Sequence, residues 1–160
     1  MTSNQLHGLL NAQISHELGA ELQYLAMACW ASRENLSGVS GWFMAQAAEE
    51  HGHAMKILAW MEEWDMEVKV DATPAPTTEF DSLVAVFEAA LAHEQRVTSQ
   101  IHEIYALAGS EGAWAAQVAF QWFVTEQVEE EATARDNLAR VQQIDDNAPA
   151  VLSFDRHLAR

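Results

Sequence analysis

Residues 81–108, DSLVAVFEAALAHEQRVTSQIHEIYALA, decide the fold. Steps of three and four put side chains on one face of an α-helix. Here they give Leu83, Phe87, Ala90, Glu94, Val97, Ile101, Ile104 and Ala108. Seven of these eight inward positions are apolar, and Glu94 is the exception. A carboxylate in the middle of a dry helix face calls for a cause, because an ionised carboxylate out of water is costly even after relaxation.

The same anomaly recurs along the chain. Asn4–Ser32 carries no proline and reads as a helix with the stripe Leu10, Ile14, Glu17, Glu21, Tyr24, Ala28, Ala31. Trp42–Trp64 gives Gln46, Glu50, His53, Ile57, Trp60, Trp64. Ala113–Gln143 gives Ala116, Phe120, Phe123, Gln127, Glu130, Ala134. In each helix the inward polar residues fall near the midpoint: Glu17, Glu50 with His53, Glu94, and Gln127 with Glu130. Four helices of similar length packed side by side would bring them into one layer.

The breakers fix how those helices connect. Asn35–Gly41 reads as a turn and Gly109–Gly112 as another, both short, so helices 1 and 2 are antiparallel, as are 3 and 4. The stretch Met66–Glu79 holds Pro74 and Pro76 and is not helical. Extended, its residues reach about 46 Å, more than the roughly 38 Å of helix 2. It can therefore run back along the whole bundle and leave helices 2 and 3 parallel. Asp81 is the predicted N-cap of helix 3, and Asn147-Ala148-Pro149 opens a short fifth helix to Leu158. The predicted fold is all-α: a four-helix bundle with one long crossover between helices 2 and 3 and a short fifth helix, one domain spanning 1–160.

Composition agrees. The 160 residues include 28 Ala but only 7 Gly and 3 Pro, which disfavours a turn-rich β-sandwich or barrel. Asp and Glu number 24 against 8 Lys and Arg, a net charge of −16. That balance excludes nucleic acid or an anionic membrane as the main ligand and suits cations. Charge-free runs such as 112–125 fall short of the about 20 apolar residues a membrane span needs, and Met1–Asn11 lacks the order of a signal peptide. Cys29 is the one cysteine, so no intrachain disulfide forms; it reads as a small core residue, and a reducing, cytoplasmic setting is expected.

Four carboxylates in one dry layer repel one another, so either several are protonated or cations neutralise them. Oxygen donors with one imidazole do not suit zinc, which favours more His or Cys, nor calcium and magnesium, which rarely take His. Two Fe(II) or Mn(II) ions suit them, with Glu50-x-x-His53 as the i, i+3 pair on one helix face.

The set Glu17, Tyr24, Glu49-Glu50-x-x-His53, Glu94, Trp122 and Glu126-Gln127-x-Glu129-Glu130 resembles the non-haem bacterial ferritins, and the likeness covers the whole chain. The resemblance implies that Glu17, Glu50 and His53 hold a first iron. Glu50, Glu94 and Glu130 would hold a second, with Gln127 adjacent and Glu50 bridging. Glu49, Glu126, Glu129 and Glu130 match a third iron position, and Tyr24 and Trp122 would be redox-capable neighbours. It further implies a ferroxidase that uses O2 or H2O2 and an iron store in a hollow homo-oligomeric shell of twenty-four subunits. Bacterioferritins carry a second Glu-x-x-His where this chain has Gln127-x-x-Glu130, and a haem-binding methionine where it has His51, so no haem is expected. One cysteine cannot supply the extra iron site of rubrerythrins.

Blander readings stand beside these. Glu50 and His53 could simply hydrogen-bond, Gln127 could be a core amide, and Glu126 and Glu129 could belong to a solvated helix face. His16, His51 and His93 flank ligand positions but point elsewhere by helical phase. A diiron or dimanganese peroxidase or oxidase without storage, and a bundle in which metal is purely structural, are the rival functions.

Overall fold

The computed structural model of the protein describes residues 3–144 and 147–159; the expected domain limits, 1 and 160, lie outside them. The described residues form five helices and no strand: α1 (Asn4–Arg33), α2 (Ser37–Glu63), α3 (Leu83–Ser110), α4 (Trp114–Ile144) and α5 (Ala148–Leu158). Helices α1 and α2 pack as one pair and α3 and α4 as another.

Helix starts follow side-chain capping. Ser3 Oγ accepts from Leu6 N–H and Asn147 Oδ1 from Ala150 N–H. The cap of α3 is Ser82, whose Oγ accepts from Ala85 N–H at 3.0 Å, and not Asp81, which is exposed one residue too early. The turn expected over Asn35–Gly41 is shorter than its composition suggests. Only Glu34–Leu36 lie outside helix, with Asn35 at φ 60°, and Ser37–Gly41 are already the first turns of α2. The reason is remote in sequence. Leu36 offers no cap, but the buried Asp155 of α5 accepts from Val39 N–H at 2.8 Å. A Cβ on Gly38 would collide with the Asp155 carbonyl oxygen, so the glycine that reads as a turn residue lets α5 reach the start of α2.

The crossover occupies residues 64–82, longer at both ends than the 66–79 expected. It is laid along α1 by polar side chains one helical turn apart. Lys69 N–H donates to Asn11 Oδ1 (2.6 Å), Asp71 N–H to Ser15 Oγ (2.9 Å), and Thr77 N–H to Gln23 Oε1 (2.9 Å). Gln23 Nε2 returns a bond to Thr77 O, and Trp30 Nε1 donates to Phe80 O. Asn11, Ser15, Gly19 (facing Thr73) and Gln23 thus form one i, i+4 row that receives an extended chain with no ladder of its own. Connector and α1 run in the same direction, so α3 starts where α2 starts and the two are parallel.

The core is divided in two. At one end Tyr24, Met27, Phe43, Phe87 and Phe154 pack together; at the other, Leu10, Ile57, Met61, Ile101, Phe120 and Phe123 do. Between them, at mid-height, lies the polar layer. Cys29 is exposed, not core: position 29 falls between Ala28 and Trp30 on the outer side of α1.

Candidate metal centre

The layer is assembled by helix phase. Each helix turns its midpoint inward because the apolar residues a turn above and below are buried in one or the other half-core. Glu17 is 0 % exposed and Glu94 1 %, and Glu50, His53 and Gln127 are buried beside them. Glu130 is half-buried. Glu21, expected on the same face, is also half-buried but turns outward to pair with His51 Nδ1 at 3.0 Å.

Two groups of donors are close enough to share an ion. One ligand atom each from Glu17, Glu50 and His53 lie within 4.8 Å of one another, and so do those of Glu50, His93 and Glu94. Glu50 belongs to both. His53 Nδ1 lies 3.1 Å from Glu50 Oε2. No lysine or arginine pairs with any of these carboxylates among the described residues; the Arg and Lys ion pairs fall on Glu79, Glu67 and Glu131.

Hydrogen bonds fix the donors. Tyr24 O–H donates to Glu94 Oε1, and Gln127 Nε2 donates to Glu94 Oε2 (3.2 Å), Glu94 O (3.3 Å) and Thr98 Oγ1 (3.3 Å). Gln13 Nε2 donates to Glu17 Oε1 at 2.8 Å. Gln13, one turn before Glu17, is a buried site residue that the apolar stripe did not reveal. A buried amide at i−4 from a buried carboxylate is the signal that would have found it. Trp122 packs edge-on against His53 (centroids 5.6 Å) beneath the Lys56 ammonium, 3.1 Å from its ring centre.

Burial and mutual repulsion dominate the electrostatics of the layer. Burial, then the charge of Glu50, raise Glu17 well above the carboxylate range. Its Oε2 is buried without a hydrogen-bond partner. Burial and the charge of Glu94 push Glu50 up to about 8. Burial, then Glu94 and Glu49, push Glu130 up to about 7. Glu94 is raised by burial, against the Tyr24 and Gln127 bonds. Burial and the Glu94 charge hold the Tyr24 phenol well above its ordinary value, so it stays a donor. A dry cluster that must hold protons in place of cations, with carboxylate oxygens and imidazole nitrogens converging, fits a pair of divalent ions.

The remaining candidates are looser. Glu49 is exposed, accepts a short bond from Gln46 Nε2, and with Glu126 adds negative charge at Glu130. Glu129 is exposed. His93, set aside by helical phase, is in fact part of the second group, with Nε2 buried and unpartnered. The stripe Val86, Ala90, His93, Val97 has the same three-four spacing as the one through Glu94, and α3 buries both edges.

The chain is similar to known proteins over nearly its whole length. Residues 8–144 match the family model described as a ferritin-like domain. The bacterial non-heme ferritin of Staphylococcus saprophyticus is 33% identical over 159 residues, covering 99% of this chain and 95% of that one. That of Staphylococcus haemolyticus is 31% identical, covering 99% and 96%. Among solved structures, an open pore ferritin from the archaeon Archaeoglobus fulgidus superposes with TM-score 0.97 at 37% identity, covering 99% of this chain and 98% of that one. A closed form engineered from the same archaeal ferritin gives 0.96 at 38%, covering 99% and 97%.

Proposed function

The chain belongs to the ferritin-like domain family, and on that premise we propose that it is a ferroxidase that oxidises Fe(II) inside the bundle and stores the ferric product in a hollow shell of twenty-four copies. The observation that carries this reading is the meeting of Glu17, Glu50 and His53 within 4.8 Å, all buried, with no lysine or arginine pairing with the two carboxylates among the described residues. Two Fe(II) ions enter as substrate and each loses one electron. With O2 as acceptor two protons are taken up and H2O2 leaves; with H2O2, two protons are taken up and two waters leave. Carboxylate-rich donors stabilise Fe(III) over Fe(II) and so favour the electron transfer.

The protein's own groups do the rest. Glu17, Glu50 and His53 hold the first ion, and Glu50, Glu94 and Glu130 the second, with Gln127 and Tyr24 fixing the Glu94 carboxylate. Tyr24, on Glu94, and Trp122, on His53, are redox-capable neighbours of the donors. Glu49, Glu126 and Glu129 with Glu130 make a third, more open iron position on the way out of the centre. No haem is used. Assembly into a shell is supported by large apolar side chains left in water on the free chain, among them Trp114 (67 %), Val118 (71 %) and Val128 (68 %). No helix among the described residues is long and apolar enough to cross a membrane, and the proposed setting is the cytoplasm.

Stopped-flow oxidation of Fe(II) in air tests the chemistry, and size-exclusion chromatography with iron loading tests storage. Glu94→Ala should lose fast oxidation by roughly a hundredfold, about 2.7 kcal/mol of barrier, while circular dichroism stays helical. Wild-type protein that oxidises Fe(II) no faster than buffer, or that precipitates iron beyond three ions per chain, refutes the ferroxidase or the store respectively.

A further inference from the structure

We propose that His93 is a metal ligand, the nitrogen donor of the second metal position beside Glu50 and Glu94. This rests on the two-metal reading and goes beyond it, because the resemblance gives that position carboxylates alone. The ligand atoms of Glu50, His93 and Glu94 lie as close together, within 4.8 Å, as those of Glu17, Glu50 and His53. His93 Nε2 is sealed from solvent without a hydrogen-bond partner, although buried polar atoms in native structures almost always have one.

The imidazole is also held in place. The Tyr24 ring meets it edge-on with centroids 5.6 Å apart and planes at 79°, and the same tyrosine donates to Glu94. Helices α1, α2 and α3 therefore converge on one imidazole through Tyr24, Glu50 and Glu94. Its register on α3 is fixed by Ala90 and Val97, three residues before and four after it, both buried.

Each metal position then has one imidazole, with Glu50 shared: Glu17 and His53 on one side, and Glu94, Glu130 and His93 on the other. Gln127 and Tyr24 act through Glu94 as positioning residues. An imidazole nitrogen at the second position favours Fe(II), Co(II) and Zn(II) over the oxygen-seeking Mg(II) and Ca(II). Selection among divalent cations would then operate at both positions.

The test uses the assembled protein, stripped of metal and kept anaerobic. Crystals soaked in Zn(II) and measured at the zinc edge should show a second zinc with a His93 nitrogen at about 2.0–2.1 Å. In solution, Co(II) titration followed by visible absorption should show two ions per chain for the wild type. His93→Gln and His93→Ala should each weaken one Co(II) at least tenfold and leave the other unchanged, and His53→Ala should weaken the complementary one. Melting curves and shell size check that the variants fold, and the wild-type zinc distances decide the matter even if neither does. A second zinc on Glu50 and Glu94 with both His93 nitrogens beyond about 3 Å overturns the proposal and leaves the two-metal centre standing. So do His93 variants that bind both Co(II) ions with wild-type affinity. A wild type that binds only one ion overturns both.

Discussion

Divalent ions binding this layer should displace the protons that burial and mutual repulsion hold on its carboxyls. Glu50 is pushed up to about 8 and Glu130 to about 7. At pH 7 the first is then about nine-tenths protonated and the second about half, roughly 1.4 protons between them. Glu17, raised well above its ordinary range by burial and by Glu50, adds to that. The Glu50 and Glu130 share is roughly 1.9 protons at pH 6, 0.6 at pH 8 and 0.1 at pH 9. His93, lowered to about 4 by burial and by Arg96, contributes nothing above pH 6. Because ions and protons compete for the same oxygens, the combined affinity for two divalent ions should rise roughly 50-fold from pH 6 to pH 7 from these two groups, and flatten toward pH 9. Anaerobic calorimetry with Zn(II), repeated in two buffers of different ionisation heat, reads the proton count directly. Release that is absent at pH 6, or that grows with pH, refutes the claim that burial and mutual repulsion set the charge of the layer.

The same shifts bear on stability without metal. A carboxyl whose folded pKa is raised binds its proton more tightly folded than unfolded, so its relative contribution is most favourable below the unfolded value near 4.5 and is lost as pH climbs through 7 to 8. For Glu50 alone the difference is roughly 5 kcal/mol. Metal-free protein should melt lower at pH 8.5 than at pH 5.5, and saturating Zn(II) should reverse the order in a thermal scan. Glu17→Gln, a neutral isostere, should leave the metal-free protein as stable as wild type or more so at pH 8, while calorimetry shows the first position lost. Asp155→Ala removes the cap on Val39 N–H and should cost about 1–2 kcal/mol by denaturant titration, with Gly38→Ala costing more, since its Cβ has no room beside the Asp155 carbonyl.

Much of the bundle was legible because helix period is a strong signal when breakers are few. The α3 stripe from Phe87 to Ala108 is buried as predicted, with Leu83 at its start only half-buried, and the loop lengths predicted a parallel α2 and α3. What escaped was set by tertiary contact. Ser37, Gly38 and Gly41 have turn chemistry, yet Asp155, more than a hundred residues away, supplies the cap that lets a helix start there. Asn11, Ser15 and Gln23 look like ordinary polar helix residues until an extended connector needs partners for its N–H groups. Cys29 was read by residue type, and residue type does not fix phase.

The mid-height layer was legible for a different reason: polar residues interrupting four apolar stripes at matching depth have few common causes. His93 shows where that logic stops. A buried helix face is at least 100° wide, so two stripes one residue apart can both face inward. Following Phe87, Ala90, Glu94, Val97 places His93 outside; following Val86, Ala90, His93, Val97 places it inside. Both share Ala90 and Val97, and nothing within α3 distinguishes them. The choice belongs to Tyr24 and Glu50, which wall the space that His93 enters from α1 and α2. Sequence can therefore rank the carboxylates of such a centre, because their charge makes burial conspicuous. A neutral imidazole at the edge of the same face carries no such mark, and only the packing of neighbouring helices reveals it as a candidate ligand.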